Sequence, residues 1–211
     1  MSKPNKLLIM PSFLESIQFG LAACCIGLGK CCQWMQCQKS QVVSKEQYEV
    51  LCLGLKGVGK STALASLVGE PIENIEPTTG FNIKTLPVLE TTMNIKELGG
   101  AEEVKIFWNK YFQGQHGIVF VVNASANEEE EELSKEALEA VLSDSALKGL
   151  PCLILVTHLD KPECKTIKEI KEFLQGVFQG RKWIVKPFHP GSDEGIRQGL
   201  EALVHLMMHS E

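Results

Sequence analysis

The residues with the clearest chemical potential lie in one glycine-rich stretch, residues 54–61, which reads GLKGVGKS. The spacing matches the phosphate-binding loop GxxxxGK(S/T), whose backbone amides point at phosphate oxygens. We expect the Lys60 ammonium to neutralise the terminal phosphates and the Ser61 hydroxyl to bind Mg²⁺. The alternative is a glycine-rich turn with an incidental lysine. The residues expected to contact phosphates are Gly54, Lys56, Gly57, Val58, Gly59, Lys60, Ser61 and Thr62.

Composition limits the class of protein that can carry this loop. The chain has 211 residues, of which 44% are hydrophobic, enough for one domain with a packed core and a terminal extension. The net charge is −5 and there is no stretch rich in Lys and Arg, so we expect no nucleic-acid partner. Five of the eight cysteines precede residue 40, a distribution that does not fit a disulfide framework. We therefore expect a reducing, cytosolic setting. We also expect the protein to be a monomer.

The elements that must position the loop follow from the hydrophobic pattern after residue 46, where short apolar runs alternate with amphipathic stretches. Strands are predicted at residues 48–55, 81–86, 93–98, 117–122, 152–156 and 183–186. Helices are predicted at residues 61–68, 102–112, 128–147, 167–178 and 194–208. This order indicates an α/β fold, with a mostly parallel sheet of about six strands covered by helices on both faces. The acidic run at residues 128–132 is expected to be the first turn of its helix.

Residues 1–40 differ in character from the rest. Apolar residues recur at helical spacing over residues 7–22, which predicts an amphipathic helix. The polar residues within it argue against a signal peptide or a membrane-spanning helix. The chain begins Met1-Ser2, without the glycine that N-myristoylation requires. We predict an anchoring segment at residues 1–40, a linker at 41–46 and a nucleotide-binding domain at 47–211.

Four further segments follow the glycine-rich loop in a specific order and spacing. They are PTTGFN at 77–82, LGG at 98–100, Trp108 through Gln113, and GIVFVV at 117–122. With the loop, they resemble the Arf-like family of small GTPases, and the resemblance covers residues 47–208. KELGGA at 96–101 and the cysteine-rich start most resemble the divergent Arf-like branch that carries both features. The resemblance implies the P-loop small GTPase fold, with GTP or GDP and Mg²⁺ as cofactors.

The resemblance implies roles for three residues outside the loop. Thr78 matches the switch I threonine that binds Mg²⁺ and senses the γ phosphate, and Gly100 matches the switch II glycine whose amide meets that phosphate. Asp160 matches the last position of the guanine motif NKxD. A carboxylate there accepts from guanine N1–H and the 2-amino group, donors that adenine lacks. The alternatives are a turn hydroxyl at Thr78 and a turn carboxylate at Asp160.

Two departures from the family concern catalysis and metal binding. Ala101 stands at the position of the glutamine that orients the attacking water, so we expect very slow intrinsic hydrolysis. Glu97 replaces the aspartate that steadies the Mg²⁺ shell through water. It keeps the charge on a longer side chain, and we expect metal binding to survive with altered geometry.

Two further departures concern the base. Thr157 and His158 replace the Asn and Lys of NKxD. The family's Asn contacts the base and braces the phosphate loop, and we expect Thr157 to reach less far. His158 either stacks on guanine or is a loop histidine. Residues 188–190, FHP, lack the usual Cys-Ala or Ser-Ala that meets the guanine carbonyl. We expect weakened guanine affinity, with selectivity resting largely on Asp160.

The resemblance also implies partner surfaces. Phe81 and Tyr111 match two positions of the family's effector-binding aromatic triad, whereas Lys96 replaces the tryptophan at the third. A cation there is expected to select different effector proteins. Amphipathic helices before the family's domain couple nucleotide exchange to membrane docking. The residues predicted to carry S-palmitoyl groups are Cys24, Cys25, Cys31, Cys32 and Cys37; zinc ligation and inert thiols are the alternatives.

Three functions compete on these residues. The leading one is a membrane-associated GTP-binding switch on the cytoplasmic face of Golgi, endosomal or plasma membranes, with a cytosolic pool. The second is a GTPase that needs an activating protein to supply an arginine. The third is a scaffold with a degenerate pocket that binds partners regardless of nucleotide.

Overall fold

The computed structural model describes residues 46–209, and its centre is a six-stranded sheet with the order β2-β3-β1-β4-β5-β6. The strands are β1 (Gln47–Leu53), β2 (Phe81–Val88), β3 (Thr91–Leu98), β4 (Gly117–Asn123), β5 (Cys152–Thr157) and β6 (Trp183–Pro187). Strands β2 and β3 pair antiparallel, and the remaining neighbours in this sheet pair parallel. The predicted α/β fold with a mostly parallel sheet of six strands is confirmed.

The helices of the described residues connect these strands. They are α1 (Lys60–Val68), α2 (Glu102–Lys105), α3 (Glu128–Ser143), α4 (Ile167–Leu174) and α5 (Glu194–Met208). Three predicted helices were too long, because each passes into a short 3₁₀ turn: Trp108–Tyr111, Ser145–Leu147 and Gln175–Val177. After α3, Asp144 adopts an extended backbone and its side chain accepts from the amide of Ala146, which ends the helix and caps the turn.

The core lies on both faces of the sheet, which explains the continuous apolar strands in the sequence. In β1, Val50 and Cys52 pack on the face covered by α1 and α5, whereas Leu51 and Leu53 pack on the face covered by α3 and α4. Strand β4 is buried from Gly117 through Val122. Sheet residues buried this way hold the strand ends in fixed positions, and it is at those ends that the candidate site lies.

The acidic run of α3 is a helix start, as predicted. Asn127 accepts from the amide of Glu130 at 2.8 Å, and the Glu130 carboxylate accepts from the amide of Asn127 at 3.4 Å. This reciprocal capping satisfies two amides that the helix leaves free. Glu131 is paired with Lys165. The run therefore has a structural explanation.

Two of the cysteines lie in the core. Burial raises the pKa of the Cys152 thiol to about 12 and, together with the charge of Glu97, also raises the pKa of Cys52. Both are protonated at neutral pH and are poor nucleophiles. The predicted amphipathic helix and the cysteines at 24–37 lie outside the described residues. No helix between residues 46 and 209 is both long and apolar enough to cross a membrane.

Candidate nucleotide-binding site

The glycine-rich loop joins the end of β1 to the start of α1. Its first glycine, Gly54, has φ +145°, and a Cβ there would lie 2.5 Å from the carbonyl oxygen of Val121. Its last, Gly59, has φ +86° and immediately precedes α1. Both positions exclude other residues, by close approach at Gly54 and by left-handed backbone at Gly59. The loop amides are thereby gathered at the N-terminal end of a helix, where anions bind.

Lys60 is held inside this loop. It is 6% exposed, and its Nζ donates to the carbonyl oxygens of Gly54 at 2.9 Å and Leu55 at 2.8 Å. Burial lowers the pKa of the Lys60 ammonium, and the charge of the neighbouring Glu97 carboxylate opposes that shift. Two of its three N–H groups orient the ammonium, so one remains for an oxygen of a ligand.

The two predicted Mg²⁺ ligands, Ser61 and Thr78, converge beside Lys60 with Glu97, which is predicted to act on the metal through water. The Thr78 hydroxyl lies 3.2 Å from the Ser61 hydroxyl and donates to Glu97 Oε1 at 3.2 Å, and Ser61 also donates to that oxygen. Glu97 is 1% exposed, and its Oε2 has no hydrogen-bond partner among the described residues. A buried carboxylate oxygen without a donor is costly, and a hard divalent cation would satisfy it. The donor set therefore fits Mg²⁺.

Gly100 follows β3 and approaches the loop from the other side. A Cβ at this position would lie 2.4 Å from the Gly54 oxygen and 2.4 Å from the Leu55 carbonyl carbon. No side chain fits in that space without moving the backbone. The segment after β3 is thus in direct backbone contact with the phosphate loop.

Gly99 joins the segment of Gly100 to the segment that carries Thr78. Its amide donates to the oxygen of Gly80 at 2.9 Å, and its oxygen accepts from the indole N–H of Trp108 at 2.9 Å. Trp108 is 4% exposed. Trp108 was expected only as part of the segment 108–113, and the sequence signal for its role is an indole whose N–H needs a hydrogen-bond partner when it is buried.

A cavity of about 520 Å³ lies between the loop, α1, residues 75–79 and residues 100–104. Ala101, whose side chain is a methyl group, and Glu103 are among the residues that line it. Glu102 is paired with Lys105 at 3.0 Å and is turned to solvent. The side chain of residue 101 therefore offers no amide group that would hold a water molecule.

Thr157 lies at the end of β5, and its side chain contacts the phosphate loop. It is 2% exposed, and its hydroxyl lies 2.8 Å from the oxygen of Val58 and 3.0 Å from the oxygen of Val122. Nδ1 of His158 lies 3.1 Å from the same hydroxyl. Although threonine is shorter than the family's asparagine, the Thr157 hydroxyl still reaches the phosphate loop, because the end of β5 lies next to Val58.

The next residues form a turn with an exposed carboxylate. His158 has φ +55° and is half-buried, and its Cε1 lies 3.8 Å from where a Cβ on Gly59 would be. The amide of Lys161 donates to the His158 oxygen at 3.4 Å. Asp160 is exposed, and its carboxylate has no partner within residues 46–209. It is available to accept from a ligand. Beyond β6, the amide of Phe188 donates to Val156 at 2.7 Å, which brings residues 188–190 to the same end of β5.

The predicted effector residues share one surface. Phe81 is 52% exposed and its ring centroid lies 5.5 Å from that of Tyr111. The Lys96 ammonium lies 5.8 Å from the Tyr111 ring centroid, within range of a cation–π interaction. Ile83 on β2 adds a further side chain that is 48% exposed. The replaced aromatic position therefore still contacts an aromatic ring.

Comparison with known proteins places this geometry in a family. The sequence model of the ADP-ribosylation factor family matches residues 34–207. ADP-ribosylation factor-like protein 15 from mouse and from human are each 34% identical over 173 residues, which cover 81% of this chain and 85% of theirs. The Arl6 BBS3 small GTPase from Trypanosoma brucei with bound nucleotide analogue GppNp superposes with a TM-score of 0.68 at 21% identity, over 78% of this chain and 99% of that one. This chain belongs to the ADP-ribosylation factor family of small GTPases.

Proposed function

We propose that this protein is a guanine-nucleotide switch that holds GTP and Mg²⁺ for long periods and recruits effectors at membranes in that state. Family membership supports binding of a guanine nucleotide. The observation that carries the proposal is the convergence of Ser61, Thr78 and Glu97 beside buried Lys60, next to a cavity whose wall at position 101 is a methyl group. The groups that bind are in place, whereas the group that positions water for hydrolysis is not.

The phosphate end works through charge and oriented hydrogen-bond donors. The loop amides and the Lys60 ammonium bind phosphate oxygens, and the lysine is oriented before the ligand arrives. The hydroxyls of Ser61 and Thr78 would hold the cation, and the Glu97 carboxylate would steady its shell through water. Mg²⁺, when bound, supplies positive charge between the phosphates.

Switching follows from the connection between Thr78 and Gly100. Their segments are joined through Gly99 and Gly80, so a γ phosphate that engages both stabilises them together. Strand β2 begins three residues after Thr78 and strand β3 ends two residues before Gly100. The nucleotide state is therefore transmitted to the surface of Phe81, Lys96 and Tyr111 through these two strands.

Slow hydrolysis follows from Ala101, whose methyl group offers no hydrogen bond to an attacking water. A GTPase that depends on an activating protein is the second candidate, in which the partner supplies an arginine and repositions the attacking water in this cavity. Both candidates share the binding residues and differ in whether hydrolysis appears when a partner is added.

Membrane association rests on the amphipathic pattern of residues 7–22 and the cysteines at 24–37. Several acyl chains, or one chain with an amphipathic helix, give stable anchoring to a cytoplasmic membrane face. The test is acyl–biotin exchange on the full chain, with the five cysteines replaced by serine as the control. A labelling signal that the substitutions do not remove would contradict palmitoylation at these positions.

Fluorescent GTP and GDP titrations of the full chain test nucleotide binding itself. Lys60→Ala removes the buried ammonium, and we expect the affinity to fall by about 100-fold, because charge-assisted hydrogen bonds to phosphate are lost. Lys148→Ala is the matched control, since Lys148 is an exposed lysine outside the candidate site. Equally weak binding by the natural protein and Lys60→Ala would favour the scaffold and contradict the switch.

A further inference from the structure

The hydroxyl of Thr157 is already committed within the protein. Its oxygen lies 2.8 Å from the Val58 oxygen and 3.0 Å from the Val122 oxygen, at a residue that is 2% exposed. A threonine hydroxyl carries a single proton, and both neighbours are carbonyl oxygens that can only accept. That proton is therefore shared between the phosphate loop and the end of β4.

An asparagine at this position has a different capacity. Its amide carries two N–H donors, so it can serve a loop carbonyl with one and a base with the other. The N7 atom of a purine is an acceptor only. With Thr157 in place, the phosphate loop keeps a hydrogen bond from this side chain, but the side chain has no proton left for N7.

The nearest side chain, His158, does not restore that donor: because the Thr157 proton is directed to carbonyl oxygens, the N–H of the neutral imidazole lies on Nδ1 and Nε2 carries no proton. Nδ1 of His158 lies 3.1 Å from the Thr157 hydroxyl, and the imidazole lies against Gly59. The exposed Asp160 carboxylate can only accept when ionised, and so it faces the N1–H and amino donors of guanine and not N7. The N1–H and 2-amino donors of guanine therefore have an acceptor in Asp160, whereas N7 has no donor.

We propose that Thr157 is a positioning residue for the phosphate loop and that this protein reads guanine without a hydrogen bond to N7. The proposal rests on the proposed GTP binding and specifies how the base is recognised. Adenine and guanine share N7, so the missing contact lowers affinity and leaves the choice of base to Asp160.

The test compares GTP with 7-deaza-GTP, in which a C–H group replaces N7 and the other base atoms are kept. For the full natural chain we expect the two dissociation constants to agree within about twofold. Thr157→Asn supplies a second donor, and we expect it to prefer GTP over 7-deaza-GTP by about fivefold, as one neutral hydrogen bond allows. Inosine triphosphate, which lacks the 2-amino group, should bind about tenfold more weakly to both proteins.

Two variants separate positioning from folding. Thr157→Ser keeps the hydroxyl and should retain the natural affinity for both analogues. Thr157→Val removes the brace and should weaken both analogues equally, so that their ratio stays near one. These ratios decide the question even if Thr157→Asn does not fold, which thermal melting of each variant would reveal.

The failures are distinguishable. A natural protein that binds GTP at least about fivefold more tightly than 7-deaza-GTP, a gap of one hydrogen bond, would overturn the inference and leave GTP binding intact. A ratio that moves away from one in Thr157→Val would also overturn it, because the valine has no donor to lose to N7. A natural protein that binds neither analogue would overturn the proposed function, and the inference with it.

Discussion

The phosphate end and the base end of the candidate site are built in different ways. At the phosphate end, Lys60 is 6% exposed and Glu97 is 1% exposed, and their polar atoms converge within the fold. At the base end, Asp160 is exposed on a turn and the hydroxyl of Thr157 points inward to the phosphate loop. The phosphate end is part of the packed core, whereas the base end depends on few side chains at the surface. A change at Asp160 therefore alters base recognition without disturbing phosphate binding, whereas a change at Thr157 acts on both.

Within the phosphate end, the residues proposed for binding lie apart from the position that would support hydrolysis. The residues proposed to bind phosphate and cation come from the glycine-rich loop, from α1, from the segment before β2 and from the end of β3. The position that would orient water, Ala101, lies at the start of the short helix α2. A substitution there changes a single cavity wall and leaves the buried cluster intact.

The largest expected effect is at Asp160. Asp160→Asn replaces one of the two acceptor oxygens for guanine N1–H and the 2-amino group with an NH₂ donor, so we expect GTP affinity to fall by about 100-fold, and xanthosine triphosphate to bind better than GTP. Competition titrations with both nucleotides measure this. Asp193→Asn is the control, because Asp193 is occupied by Ser66 and Arg197. An unchanged preference for GTP in Asp160→Asn would show that the base is read elsewhere.

A smaller effect is expected at Glu97, on the phosphate side of the comparison. Glu97→Gln keeps the shape and removes the charge that faces Ser61 and Thr78. We expect metal affinity to weaken by about 10- to 30-fold, the lower part of the range found for residues that support metal ligands. The measurement is the Mg²⁺ concentration at which fluorescent GTP release is half-suppressed. Glu97→Asp keeps the charge and should need an Mg²⁺ concentration between those of the natural protein and Glu97→Gln. Identical Mg²⁺ curves for these proteins would contradict a role of Glu97 at the cation site.

The smallest effect is expected on the stability of the protein without nucleotide. Thr157→Val leaves the buried oxygens of Val58 and Val122 without this donor, and we expect about 1 kcal/mol less unfolding free energy. Urea denaturation measures it, with Thr157→Ser as the control that keeps the hydrogen bond. Equal stability of Thr157→Val and the natural protein would mean that the brace contributes nothing to the fold.

Much of the fold could be predicted from the sequence, because continuous apolar strands alternating with amphipathic helices require a parallel sheet. The glycine-rich loop could also be located from the sequence, because its spacing is a local pattern. The partners of Thr157 could not be predicted, since Val58 is 99 residues and Val122 is 35 residues away along the chain. Nor could the end of α3, which depends on the side chain of Asp144 turning back to cap the next turn.

The most direct test is whether bound GTP stays intact. Full-length protein is loaded with GTP and Mg²⁺, free nucleotide is removed, and the bound GTP and GDP are measured over time, beside Ala101→Gln as a matched variant. The absence of a residue that positions water predicts GTP that persists in the natural protein, and hydrolysis at least about tenfold faster in Ala101→Gln, a modest share of what a positioned group contributes. Conversion to GDP in the natural protein as fast as in Ala101→Gln would contradict the proposal that this site is built to hold GTP.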